Sequence, residues 1–139
     1  MNRQVKDLMA EPVTVPADTT LTEAARLMRD ADIGDVIVAN EQGRPNGLVT
    51  DRDIVVRGIA EGHVPDDTTV GDICTRDLAT VGPDDAVERA VELMREYAVR
   101  RLPVVDGDQL VGVISLGDLA IERDESSALA DISAAEPNS

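Results

Sequence analysis

Two short segments repeat one spacing of polar groups. Gly47-Leu48-Val49-Thr50-Asp51-Arg52-Asp53 and Gly112-Val113-Ile114-Ser115-Leu116-Gly117-Asp118 each place a glycine, two aliphatics, a hydroxyl residue and, three positions on, an aspartate. At a strand-to-helix junction this pattern makes a capping box. The hydroxyl takes an orphan backbone N–H, and the carboxylate reaches back to the N–H of the cap. Capping explains one such segment by itself; its repetition raises a second reading, a polar site built at the junction.

The rest of the chain holds little for covalent or redox catalysis. His63 is the sole histidine and Cys74 the sole cysteine, so no Ser-His-Asp or Cys-His arrangement can be argued, and neither an intrachain disulfide nor a multi-thiolate metal site can form. Neither Gly-x-x-x-x-Gly-Lys nor Gly-x-Gly-x-x-Gly occurs. Asp66-Asp67 and Asp84-Asp85 fall in turn-like segments where solvation and capping account for them. His63 is expected in solvent, and Cys74, aligned with Met9, as a small hydrophobe. No metal site is expected, and a zinc-linked dimer through either residue stands as a third reading.

Composition narrows the partners. The 28 acidic and 13 basic residues give a formal charge of −15, a field that repels nucleic acid and anionic lipid. Tyr97 is the lone aromatic, so stacking platforms for single strands are missing and the core must be aliphatic. No run reaches the roughly 18 apolar residues of a membrane span. The charged segment after Met1 does not read as a secretory leader, so a cytoplasmic location is expected, without nucleic-acid or membrane partners.

The elements that must position the two junctions also come twice. Val5-Lys6-Asp7-Leu8-Met9 matches Val70-Gly71-Asp72-Ile73-Cys74, and Leu21 to Arg29 matches Val87 to Arg95, all about 65 residues apart. Each copy reads as a short extended stretch (Val13–Val15, Leu78–Val81), a proline turn, an amphipathic helix, a hairpin and a second helix opening at Thr50 or Ser115. The fold class is therefore α/β (α+β): a tandem pair of β-α-β-β-α units. Units of about 60 residues bury too little surface alone, so packing about a pseudo-twofold axis is expected. The boundaries are 1–62 for the first unit with its lead-in, 63–69 for a linker, 70–123 for the second unit, and 124–139 for an acidic tail expected to lack fixed structure.

With both junctions in tandem, the lead-in Val5-Lys6-Asp7-Leu8-Met9 and the run Arg100-Arg101-Leu102-Pro103-Val104-Val105, the chain resembles the cystathionine-β-synthase (CBS) domain family, whose paired units form a Bateman module. The resemblance covers about residues 5–122. Asp32-Ile33-Gly34, Thr50 to Val55 and Val99-Arg100-Arg101 make it similar to small stand-alone two-CBS proteins of the hypoxic-response type.

The resemblance implies a non-catalytic regulatory module binding an adenosine-containing ligand (AMP, ADP, ATP or S-adenosylmethionine) in clefts between the paired units, with no required cofactor. By that analogy Asp53 and Asp118 would accept from the ribose diol, and Thr50 and Ser115 would contact ribose or α-phosphate. A carboxylate suits a diol, because it accepts from two adjacent hydroxyls in charge-assisted bonds. Arg52, Arg100 and Arg101 become candidates for phosphate, which their planar forks fit, against the alternative of surface ion pairing. Val15 and Val36 in one copy, and Val81 and Leu102 in the other, are candidate walls for adenine, against the alternative of ordinary core.

The copies differ at the binding edge: Arg100-Arg101-Leu102-Pro103 stands where the first copy has Gly34-Asp35-Val36-Ile37. An aspartate there repels phosphate, so the sites are expected to be unequal. A homodimer is expected. The rival reading is a ligand-free dimeric interaction protein whose acidic surface engages an unknown protein partner.

Overall fold

The structure, a computed structural model, describes residues 3–123; the acidic tail 124–139 lies outside the described residues. The elements are β1 (Thr14–Val15), α1 (Leu21–Ala31), β2 (Asp35–Ala39), β3 (Pro45–Thr50), α2 (Asp51–Asp53, running on as a π-helical turn over Ile54–Ile59), α3 (Val70–Ile73), α4 (Val87–Tyr97), β4 (Arg101–Asp106), β5 (Gln109–Ser115) and α5 (Leu116–Arg123). The mixed α+β architecture expected from the repeats is present.

Packing cuts the chain elsewhere than the sequence repeat does. One compact unit is residues 12–78, and the other joins residues 3–11 to 79–123. The lead-ins are thus exchanged between the copies. Val5 is fully buried in the core formed by Val81, Val87, Leu102, Val104, Ile114 and Leu119. Val70, Ile73 and Cys74 complete the core of Val15, Leu21, Met28, Val36, Val38, Val49 and Ile54. Backbone bonds fix each lead-in: Val5 N–H to Asp85 C=O and Ala10 with Val113 in the one unit, Val70 N–H to Thr19 C=O and Thr75 with Leu48 in the other. A helical turn of three or four residues is not stable alone, so it forms where it finds an apolar seat. Within the stretch 63–69 only Thr68 is buried, and its C=O accepts from the Leu21 N–H.

In the 12–78 unit the strands run β1-β2-β3, with β1 parallel and β3 antiparallel to β2. The other unit pairs β4 with β5, and Val81 replaces a first strand with a single parallel bridge to Val104. Both hairpins bulge at matching places, between Val38 and Ala39 and between Val104 and Val105.

The long helices stop alike but start differently, α1 on a side-chain cap and α4 on Ala86 without one. Thr20 caps α1 and shares a capping box with Glu23. Both helices end on a left-handed residue, Asp32 and Ala98, followed by an aliphatic whose N–H returns to Met28 or Met94. This is a Schellman-type ending without its usual glycine.

Two glycines set the depth of the lead-ins. A Cβ on Gly47 would meet Cys74 Sγ at 2.7 Å, and one on Gly112 would meet Met9 Sδ at 2.5 Å. Each strand entering a junction is therefore glycine where a lead-in sulfur presses on it. Gly58 lets the π-helical turn approach Leu21 in the same way.

Candidate functional site

Both junctions form the capping boxes expected of them. The Thr50 N–H donates to Asp53 Oδ2 (2.9 Å) and the Asp53 N–H to Thr50 Oγ1 (3.0 Å). The Ser115 N–H donates to Asp118 Oδ2 (2.9 Å) and the Asp118 N–H to Ser115 Oγ (3.2 Å). Only Oδ2 of each carboxylate takes part in its cap. All four residues are half-buried, so each cap presents a fixed carboxylate at a strand-to-helix corner that solvent can reach. Capping and ligand binding are compatible here, because a carboxylate has acceptor capacity beyond the bond the cap uses.

Hairpin register decides what stands beside each cap. Thr50 is the partner of Asp35 on β2, and Ser115 is the partner of Arg101 on β4. Directly opposed residues of an antiparallel pair hold their side chains on one face, with Cβ atoms about 5 Å apart. The residue after each capping hydroxyl is bound in the same way in both units: the Asp51 N–H donates to Gly34 C=O (2.9 Å), and the Leu116 N–H donates to Arg100 C=O (2.8 Å). The backbone frame is thus common to both junctions while the facing charge is opposite. Asp35 was legible in the sequence as a mismatch with Arg101, but its place opposite Thr50 comes from the register.

The other sequence candidates fall in three places. Arg52 is exposed in the first turn of α2, and Arg100 is exposed just before β4. Val36, Leu102 and Pro103 are buried strand residues, and Val81 is buried beside Val104. Val36 and Leu102 have no exposed surface and Val81 almost none, so these candidate adenine walls are core side chains within their units. Val15 borders an open cleft of about 660 Å³ with Pro16, Asp18, Asn40, Glu41 and Asn46. That cleft lies at the Ala39 end of β2, about 13 Å from the cap at the Asp35 end at the usual strand rise.

Among the described residues no group of three or more His, Cys, Asp or Glu side chains is placed to hold a metal ion. Cys74 is buried against Gly47, and His63 is exposed. The one carboxyl near them with a displaced titration is Asp72. The Thr69 N–H, with the Thr69 hydroxyl, holds it below the usual aspartate range in the α3 capping box. No helix among the described residues is long and apolar enough to cross a membrane.

The CBS domain family model matches residues 5–58 and 70–124. The CBS domain-containing protein YhcV of Bacillus subtilis is 42% identical over 120 residues, covering 86% of this chain and 84% of that protein. Hypoxic response protein 1 of Mycobacterium tuberculosis is 36% identical over 116 residues, covering 83% of this chain and 81% of its own length. A crystal structure of Hypoxic Response Protein I with two coordinated zinc ions superposes with a TM-score of 0.75 at 34% identity, over 86% of this chain and 98% of that one. The CBS domain pair of protein MJ0100, in complex with 5′-methylthioadenosine and S-adenosyl-L-methionine, gives a TM-score of 0.82 at 25% identity, over 91% of this chain and all of that one. Two family matches in tandem cover nearly all the described residues, and the chain belongs to the CBS domain family.

Proposed function

We propose that the chain is a non-catalytic, cytoplasmic sensor module that binds an adenosine-containing ligand at its two hydroxyl-x-x-Asp junctions. The observation that carries this reading is the double cap: Asp53 and Asp118 are each held through Oδ2 at a solvent-reached corner, with Oδ1 left to accept from a vicinal diol. The adenosine ligands of the MJ0100 pair support the same chemistry. An effector shifts such a module only by its differential affinity for two states, so the signal lies in what ligand binding stabilises.

A homodimer completes this reading. Val55 and Ile59, both 56% exposed, lie four residues apart on the turn that follows the Thr50 cap and supply an apolar face for a second copy.

The test is calorimetry with AMP, ADP, ATP, 5′-methylthioadenosine and S-adenosylmethionine against the wild type and the Asp53→Ala and Asp118→Ala variants. The expected result is binding that at least one substitution weakens tenfold or more, with the fold verified by circular dichroism. Silence with every compound favours the ligand-free interaction protein. The zinc in the Hypoxic Response Protein I crystal supports a second reading, a metal-linked dimer. Near-stoichiometric zinc in untagged protein would establish it.

A further inference from the structure

Thr75 is tied to both elements that flank the Thr50–Asp53 cap. Its backbone N–H donates to Leu48 C=O and its C=O accepts from the Leu48 N–H, each at 3.0 Å, two residues before the cap on β3. Its hydroxyl accepts from Arg57 Nη1 at 3.1 Å, four residues beyond Asp53 on the turn that continues α2. Three residues later, after Leu78, the chain leaves this unit for the other. The other unit has the backbone pair alone. Ala10 and Val113 exchange bonds of 2.8 and 3.0 Å two residues before Ser115, and alanine has no hydroxyl to accept a second tie.

We infer that Arg57 and Thr75 are the positioning pair that carries the state of the Thr50–Asp53 cap into residues 76–79, and so to the other unit. This rests on the sensor reading above and names its route out of the unit. A group bound at Asp53 bears on the start of α2 and shifts it against the end of β3. Thr75 is held by both, so a change in the angle between them either parts Arg57 from the hydroxyl or moves Thr75 with the helix. The turn that holds Arg57 favours such a change, because the N–H groups of Ala60 and His63 bond five residues back in the π-helical pattern. A π turn holds one residue more than an α turn, and rewinding it moves its side chains around the axis. The tie is also weak enough for a ligand to overcome. Arg57 and Thr75 are both exposed, where a single charged hydrogen bond counts for little beside the buried contacts of Ile73 and Cys74. Packing fixes the lead-in, and the tie sets its last residue. By linkage the coupling acts in both directions.

The experiment is amide-resolved NMR of the full chain in two arms. In the first, without any ligand, Thr50→Ala opens the cap, and its effect is followed at residues 76–81 in the wild type, in Thr75→Val and in Arg57→Met. Both variants remove the tie and leave the Leu48–Thr75 backbone pair, whose hydrogen-exchange protection is the control for an intact fold. Thr50→Ala is expected to shift residues 76–81 in the wild type. Either variant is expected to cut these shifts about fivefold, the lower end of an allosteric coupling, while the shifts at 50–53 persist. Shifts that stop at Thr75 in the wild type, or that reach 79–81 undiminished in both variants, overturn the proposal. In the second arm 5′-methylthioadenosine and S-adenosylmethionine replace the substitution. Ligand shifts at 50–53 that spread to 79–81 in the wild type alone support the proposal, and equal spread in all three proteins overturns it. Failure of both compounds to shift 50–53 or 115–118 overturns the adenosine reading, while the first arm still decides the coupling.

Discussion

Residues 47–53 and residues 112–118 solve one mechanical problem with two sets of neighbours. In each, glycine admits a lead-in sulfur, two aliphatics follow of which Leu48, Val49 and Ile114 are buried and Val113 half-buried, and a hydroxyl with an aspartate closes the helix start. What differs is exposed or half-exposed: Asp51-Arg52 against Leu116-Gly117, and Asp35 against Arg101. Buried positions are held by packing, where a change of one methylene is felt, while surface positions drift within about ±0.5 kcal/mol. The backbone frame is therefore common to both junctions, while the residue facing each cap differs.

The largest effects should be equal in the two units. Leu21→Ala and Leu102→Ala each empty a fully buried site and should cost about 2–5 kcal/mol in urea unfolding. A loss confined to one of them would show that the two cores are not equivalent. Next comes the glycine seat. Gly47→Ala forces a methyl onto Cys74 and should cost about 1–3 kcal/mol, with Cys74→Ala restoring part of it in a double-mutant cycle. Gly112→Ala should cost a similar amount, because the Met9 thioether can move aside but the Ala10 carbonyl oxygen, 3.1 Å from the added Cβ, belongs to the backbone. Thr50→Ala and Ser115→Ala remove equivalent caps and should each lower stability by about 1 kcal/mol in thermal or urea melts. The smallest effect separates the units. Ala98→Gly relieves a left-handed alanine at φ 54 and should raise stability by about 1 kcal/mol. Asp32→Gly at the same φ should gain less, because aspartate tolerates that region better.

The caps, the helices and the hairpins were legible in the sequence because each is local: Thr50-x-x-Asp53 and the 3.6-residue spacing of Leu21, Ala24 and Met28 name their own geometry. Lead-in placement was not. Val5 and Val70 read as the first residues of their own copies, and nothing in a short apolar turn says which sheet it will cover. The register partners needed the bulge positions, since one bulge shifts every pair beyond it, and only register sets Asp35 against Thr50 and Arg101 against Ser115. In the sequence Val36 and Leu102 fit a ligand wall or ordinary core; both are fully buried. Alternation along a short apolar strand does not reveal that both faces are covered.

The proposed role of Asp53 and Asp118 as the carboxylates that hold an adenosine ligand is tested most directly by calorimetry with AMP, 5′-methylthioadenosine and S-adenosylmethionine against the wild type, Asp53→Ala and Asp118→Ala. Binding that at least one substitution weakens tenfold or more is the predicted result. Binding that neither substitution changes would overturn it.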